Sequence, residues 1–129
     1  MRQPKVVCYL TRTNAKTHEI VMAGYGRAPK LGEDERAFGV GPRYCPSIEK
    51  KMWTFPDKQY HLIWLEPEGI NSDVVYPNGI STGLPLQVQK DFVASIKGLE
   101  KAQILQPAYV VAYDFIQPKT VLKHTLETK

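Results

Sequence analysis

Proline and glycine recur along the whole chain and limit the length of every element it can form. The 129 residues include ten prolines and nine glycines. Because both residues interrupt helices and strands, the sequence predicts short elements joined by many turns. The stretch 24–42 contains seven of these glycines and prolines and four charged residues at 33–36, so it is predicted to form a long exposed loop.

Between these turns, apolar residues follow two different periods. Residues 5–10, 59–66, 74–76, 102–105 and 109–115 are rich in β-branched, aromatic or other apolar residues and are predicted to be strands. A helix is predicted over 15–23, with Thr13 or Asn14 as its N-cap and Gly24 ending it. Another is predicted over 85–97, with Pro85 in its first position and an apolar stripe of Val88, Phe92 and Ile96.

With a further short helix from Pro46, these patterns predict about three helices and four to five short strands, an α+β or mixed α/β fold. Composition agrees with one folded unit, because 43% of the residues are hydrophobic and 23% are charged. The formal net charge of +4 is compatible with a nucleotide or nucleic-acid partner. No apolar run is long enough to span a membrane, and no secretory signal is visible, so a cytoplasmic protein is expected.

The segment 41–49, Gly-Pro-Arg-Tyr-Cys-Pro-Ser-Ile-Glu, holds the clearest candidate for chemistry. If Pro46 opens a short helix, Cys45 lies at its N-cap, where backbone N–H groups and the helix dipole favour a thiolate. Arg43 adds a positive charge nearby. The segment therefore predicts a reactive cysteine or a phosphate-binding cradle. The alternative is a loop that enters a helix and buries a structural cysteine.

Other polar residues offer weaker candidates, each with a structural alternative. Glu66 and Glu68 share a face of an extended chain and form either an acid–base pair or a solvated turn. Residues 78–85, with Asn78, Ser81 and Thr82, form either a cradle for an anion or cofactor edge or a cap for the next helix. Cys8 is expected to be buried and inert.

The three histidines, His18, His61 and His124, are isolated in sequence and lack zinc spacing, so no metal site is expected. His61 is expected to face solvent or to pair with a polar neighbour. The glycine clusters at 24–29 and 39–44 lack the residues and the strand–turn–helix context of a dinucleotide fingerprint.

Five ordered stretches together resemble the middle of the glucose-inhibited division protein A family. They are residues 8–20, the segment 41–49, Leu-Glu-Pro-Glu-Gly at 65–69, Tyr-Pro-Asn-Gly-Ile-Ser-Thr at 76–82, and 125–129. The resemblance covers nearly the whole chain. It implies a flavoprotein that converts the wobble uridine of certain tRNAs to 5-carboxymethylaminomethyluridine.

The same resemblance implies FAD, NADH as reductant and methylenetetrahydrofolate as one-carbon donor. It also implies a tRNA substrate, a GTPase partner subunit and a homodimer, in the cytoplasm or in an organelle of a eukaryote, without a membrane. It makes Cys45 the candidate catalytic or redox thiol. It assigns cofactor contacts to Gly41, Pro42, Arg43, Tyr44, Pro46, Ser47, Ile48, Glu49, Lys51 and Phe55.

The family's glycine-rich FAD fingerprint is absent from these 129 residues. The chain is therefore expected to be a single unit from the centre of a larger flavoprotein with two dinucleotide-binding domains. Residues 1–40 correspond to the end of an inserted NAD-associated region, and 41–129 to the NAD-associated loop leading back into the FAD-domain scaffold. The isolated piece is expected to be inactive. The alternative is a stand-alone nucleotide- or RNA-binding module without catalysis.

Overall fold

The fold is known from a computed structural model that describes residues 6–27 and 46–110, all within one unit of the chain. The elements are β1 (Tyr9–Arg12), α1 (Ala15–Gly24), a 3₁₀ turn (Tyr25–Arg27), α2 (Ile48–Thr54), β2 (Leu62–Pro67), β3 (Val75–Asn78) and α3 (Leu86–Ala94). The described residues form three α-helices and three strands, which confirms the predicted α+β class. Residues 1–5, 28–45 and 111–129, which include the predicted helix cap at Cys45, lie outside the described part.

The three strands form an antiparallel sheet in the order β1-β2-β3. Leu10 pairs with Trp64, and Trp64 pairs in turn with Asn78. Side chains alternate across β2, since Ile63 is buried while Leu62 and Trp64 are about half exposed. One face of the sheet therefore packs on the core, and the other carries exposed apolar side chains.

The core lies between the inner face of the sheet and the three helices. It consists of Val21, Ile48, Met52, Ile63, Ile80, Leu84, Val88, Phe92 and Ile96. All three residues of the predicted apolar stripe, Val88, Phe92 and Ile96, are buried, although Ile96 lies two residues beyond the end of α3. Burial of such side chains is the main source of folding free energy in a domain of this size.

Asn14 begins α1 with a capping box. Its side chain accepts a hydrogen bond from the Thr17 backbone N–H at 3.0 Å, and its own N–H donates to Thr17 Oγ1 at 3.3 Å. Of the two predicted caps, Asn14 is the one used. Its Nδ2 also donates to the Ser95 carbonyl at 2.7 Å, so the start of α1 is tied to the end of α3.

Helix α3 is shorter than predicted at both ends. Pro85 is the N-cap rather than the first helical residue. The helix ends at Ala94, because the Ser95 hydroxyl and N–H both donate to the Phe92 carbonyl and tighten the last turn. The backbone then turns through Gly98, whose φ is 90°.

The strand predicted at 102–105 is wrong, and no strand forms at 109–110; 111–115 lie outside the described residues. Buried Gln89 takes the place of a neighbouring strand for this part of the backbone. Its Oε1 accepts from the Ala108 N–H at 2.8 Å and its Nε2 donates to the Ala108 carbonyl at 3.0 Å. A side chain thus satisfies the backbone groups that a sheet ladder satisfies elsewhere.

Cys8 is exposed just before β1, so its predicted place in the core is wrong. The strand begins at Tyr9 rather than at residue 5, and Cys8 precedes the paired residues. Among the described helices, none has both the length and the apolar composition to cross a membrane.

Candidate functional site

Helix α2 begins at Ile48, three residues after Cys45, and Ser47 is its N-cap. The Ser47 hydroxyl accepts a hydrogen bond from the Lys50 N–H at 3.3 Å, and its carbonyl accepts from Lys51 N–H at 2.9 Å. The predicted helix cap at Cys45 is therefore wrong: a serine oxygen two residues later fills that position and accepts more strongly than a thiol. Cys45 and its predicted neighbours Gly41, Pro42, Arg43 and Tyr44 lie outside the described residues.

The loop of residues 79–83 holds α2 in place through three hydrogen bonds. The Ile48 N–H donates to the Ser81 carbonyl at 2.7 Å, and the Gly83 N–H donates to Glu49 Oε1 at 3.2 Å. Lys51 Nζ donates to the Gly79 carbonyl at 2.9 Å. The structure thus brings together two groups of predicted site residues that are about thirty positions apart in sequence, at 47–51 and 79–83.

Gly79 allows this loop to pass close under β2. Its φ is +109°, and a Cβ on it would lie 2.9 Å from the Leu62 carbonyl oxygen. Both conditions require glycine, so Gly79, directly after β3, is a structural requirement of the site.

Glu49 is the most unusual polar residue of the site. Glu49 is only 5% exposed, and its Oε2 is buried without a hydrogen-bond partner among the described residues. A buried carboxylate oxygen ordinarily has a partner. Glu49 therefore leaves an acceptor available at the start of α2, four residues after Cys45.

Other predicted site residues have partners of their own. Asn78 Nδ2 donates to Glu66 Oε1 at 3.4 Å across the outer face of the sheet, while Glu68 is exposed beyond β2. Glu66 is hydrogen-bonded to an amide rather than paired with Glu68. Phe55 lies at the end of α2, half exposed, with Lys58 Nζ 5.0 Å from its ring centre.

Thr82 is buried and acts inside its own loop. Its Oγ1 accepts from the Leu84 N–H at 3.1 Å, and α3 has no side-chain hydrogen bond at its N-cap. The side-chain cap considered for α3 is therefore wrong. The hydroxyl instead stabilises the turn that leads into the helix.

Sequence patterns did not reveal that two of the histidines meet. The His18 and His61 rings are 5.6 Å apart, and Thr13 joins them: its Oγ1 lies 2.7 Å from His18 Nε2 and accepts the His61 backbone N–H at 2.8 Å. His61 is buried, not facing solvent, and its Nε2 has no partner among the described residues. The contact between His18 and His61 depends on the pairing of β1 with β2, and the sequence near each histidine does not indicate this pairing.

Burial lowers the pKa of His18 and of His61 below the ordinary value, and the positive charges of His18, Lys58 and Lys51 lower the pKa of His61 further. The unfolded chain therefore binds more protons than the folded chain as pH falls below about 6.5. We expect the free energy of unfolding to decrease between about pH 7 and pH 5, measured by urea denaturation. The decrease should be smaller in His61→Gln than in the unaltered chain, and an equal decrease in both would contradict this assignment.

Within residues 6–27 and 46–110, no three His, Cys, Asp or Glu side chains are placed to hold a metal ion. The polar groups of the site are thus a serine cap, a buried carboxylate and a lysine, all fixed against one loop.

A family model described as "Glucose inhibited division protein A" matches residues 1–129. The chain belongs to the glucose-inhibited division protein A family. Two solved structures of the family, both of Aquifex aeolicus GidA, are similar to it. The structure from the form I crystal has 45% sequence identity to this chain and a TM-score of 0.73, and the match covers 99% of this chain. For the structure from the form II crystal the values are 43%, 0.65 and 97%.

The chain spans 21% and 18% of the length of those two GidA chains. The resemblance read from the five sequence stretches is confirmed, including the expectation that the chain matches a fragment of a larger GidA protein. One of the five stretches, 41–49, ends in the first two residues of α2.

Proposed function

We propose that this chain is part of an FAD- and NADH-dependent enzyme that adds a carboxymethylaminomethyl group at C5 of the tRNA wobble uridine, with methylenetetrahydrofolate as the one-carbon donor. The observation that carries the proposal is the family match over the entire chain, residues 1–129. It is supported by the sequence of the segment 41–49 and by the fixed position of α2 directly after it.

In this proposal Cys45 is the catalytic or redox thiol, and Arg43 neutralises a phosphate or carboxylate through a charge-assisted pair. The segment 41–49, with Lys51 and Phe55, contacts the cofactor. Glu66, Glu68, Asn78, Ser81 and Thr82 remain candidates for contact with substrate or the flavin edge. The three hydrogen bonds from residues 79–83 support these roles, because they hold the residues after Cys45 on a rigid base.

The described residues fit a nucleotide cofactor through Glu49. Its unpartnered, buried Oε2 would accept a hydrogen bond from a ribose hydroxyl or a ring N–H. When bound, NADH would supply reducing equivalents and FAD would accept and carry them. The chain's own residues would bind and orient the cofactor. Ser47 caps the start of α2, and Lys51 is held near it by a hydrogen bond to the Gly79 carbonyl.

The same proposal extends to the larger protein. Residues 1–40 end an inserted NAD-associated region, and residues 41–129 lead back into the FAD-domain scaffold. The parent acts as a homodimer with a GTPase partner subunit on tRNA in the cytoplasm, or in an organelle if it is eukaryotic. The isolated chain is inactive, since a partial flavin site neither binds nor orients the flavin.

An omission experiment tests this function in the full-length parent with its partner subunit. Substrate tRNA is incubated with FAD, NADH and methylenetetrahydrofolate, always with glycine as the source of the carboxymethylamino part and with GTP for the partner subunit, and the modified nucleoside is measured by mass spectrometry. We expect 5-carboxymethylaminomethyluridine only when all three are present. Modification without flavin, or flavin-dependent turnover by the isolated 129 residues, would contradict the proposal.

A further inference from the structure

Gln89 is a buried residue of α3 whose side-chain amide is hydrogen-bonded to two separate parts of the backbone. It is 4% exposed. Its Nε2 donates to the Leu84 carbonyl at 2.8 Å and to the Ala108 carbonyl at 3.0 Å, and its Oε1 accepts from the Ala108 N–H at 2.8 Å. Both N–H donors of the amide and its oxygen are therefore in use.

The three backbone partners of Gln89 require a carboxamide in one orientation. In the reverse orientation, the amide would direct its NH₂ group at the Ala108 N–H and its oxygen at two carbonyl oxygens. An ionised carboxylate of the same shape would accept from the Ala108 N–H but would face both carbonyl oxygens without a proton. An apolar side chain would offer no partner to any of the three groups. The contact therefore depends on the chemistry of the side chain and not on its size alone.

Leu84, one of the residues that Gln89 contacts, comes directly after the loop that holds α2. The N–H of the preceding residue, Gly83, donates to Glu49 Oε1 at 3.2 Å. Gln89 thus links the backbone at Ala108 to the stretch of backbone that contacts α2. A contiguous path of hydrogen bonds and neighbouring residues gives a physical route for coupling between its ends, and the coupling can be measured.

Residues 105–110 have few other contacts that fix their position on the described part of the chain. They form no helix or strand there, and their hydrogen bonds to other described residues are the two between Ala108 and Gln89. Leu105 and Tyr109 are 73% and 70% exposed, so burial of their side chains against described residues contributes little. Within this unit, the Gln89 amide is therefore the main attachment of residues 105–110.

We propose that Gln89 is a positioning residue, whose amide attaches residues 105–110 to the end of the loop of residues 79–83 and thereby stabilises the contact of that loop with α2. The attachment rests on the three hydrogen bonds of the amide and is independent of any reaction. Its consequence for catalysis rests on the proposed tRNA-modifying function, in which α2 follows the segment that carries Cys45.

Hydrogen–deuterium exchange of the full-length parent, resolved to single amides by mass spectrometry, tests the attachment at the Gly83 and Ala108 N–H groups. In Gln89→Glu at about pH 8, both amides should exchange about tenfold faster than in the unaltered protein, because the carboxylate cannot donate to either carbonyl. At about pH 5.5 the ratio of the two rates should fall towards one, since burial favours the protonated carboxyl, which donates one hydrogen bond. Gln89→Met, which offers no N–H or O–H donor, should exchange fast at both pH values.

Gln87→Glu is the matched control, because it makes the same substitution two residues earlier in α3 at an exposed position. Gln87 Nε2 donates to Asp91 Oδ1 at 2.9 Å on the surface of the helix. This variant should leave the exchange of both amides unchanged at both pH values. Faster exchange of Ala108 alone in Gln89→Glu would overturn the proposal, because residues 105–110 would then be attached without stabilising the loop. Unchanged exchange of both amides would overturn it as well.

The rate of tRNA modification by the same variants tests the consequence for catalysis. In Gln89→Glu at about pH 8, kcat should fall about tenfold with little change in KM for tRNA, and the ratio to the unaltered enzyme should recover at lower pH in parallel with the exchange. Faster exchange of both amides with an unchanged kcat would remove the positioning role from Gln89. If the unaltered parent does not modify tRNA, the proposed function fails, while the exchange of Gly83 and Ala108 still decides whether Gln89 couples the two segments.

Discussion

Replacing Cys45 with serine in the full-length parent should lower the rate of tRNA modification by about a thousandfold or more. A thiolate is the nucleophilic or redox form of cysteine, and a serine hydroxyl stays protonated near neutral pH and forms no disulfide. The rate should be measured as modified nucleoside formed per minute under single-turnover conditions, with flavin content recorded in parallel. Loss of activity with unchanged flavin content assigns the effect to the thiol.

Cys8 provides the matched control. It is exposed before β1 and belongs to none of the hydrogen bonds that hold α2. Cys8→Ser should therefore modify tRNA at the rate of the unaltered protein. A Cys45→Ser enzyme that retains a similar rate would remove the catalytic role from Cys45 and leave the segment 41–49 with a binding role only.

The free energy of unfolding of the chain should fall by about 3–5 kcal/mol when Phe92 is replaced by alanine. Phe92 is 1% exposed and belongs to the core between α3 and the other elements. Its removal loses the burial of an aromatic ring and leaves a cavity that close-packed neighbours fill only in part. Urea denaturation gives the change directly, if the slope against urea stays constant.

Leu86→Ala in the same helix is the control, because it also replaces a large apolar residue of α3 by alanine but at an exposed position. Leu86 is 42% exposed at the start of α3, so its truncation should cost about 1 kcal/mol or less. Similar losses for Phe92→Ala and Leu86→Ala would show that α3 does not pack as described.

Local signals in the sequence were sufficient for features that depend on neighbouring residues. The apolar stripe of α3 has a helical period and is buried as predicted. Asn14 has the side chain of an N-cap and acts as one. The Asn-Gly pair at 78–79 predicts a turn, and Gly79 there has a positive φ. In each case the determining chemistry lies within a few residues.

Features that depend on distant contacts were not predicted. The meeting of His18 with His61 requires the register of β1 on β2, and the backbone at Ala108 is satisfied by Gln89 rather than by a strand. The cap of α2 was placed at Cys45 because proline favours the first helical position, but Ser47 supplies a better acceptor. Tertiary contacts determine which of two neighbouring residues caps a helix and whether an apolar segment forms a strand.

The candidate site was found from sequence through its motifs and not through its geometry. The stretches at 41–49 and 76–82 are separate motifs in the sequence. In the structure, hydrogen bonds join them and their neighbours, between Ile48 and Ser81, Glu49 and Gly83, and Lys51 and Gly79. The unpartnered Oε2 of Glu49 has no sequence signal, since its burial results from the packing of α2 on this loop.

The reactivity of the two cysteines, compared within one molecule, tests the central claim most directly. The full-length parent is treated with iodoacetamide near neutral pH, and alkylation of the Cys45 and Cys8 peptides is followed by mass spectrometry. Because the thiolate is the reacting form, and because the positive charge of Arg43 two residues before Cys45 favours it, Cys45 should be alkylated faster than Cys8, although Cys8 is exposed. Faster alkylation of Cys8 would contradict the claim that Cys45 is an activated thiol.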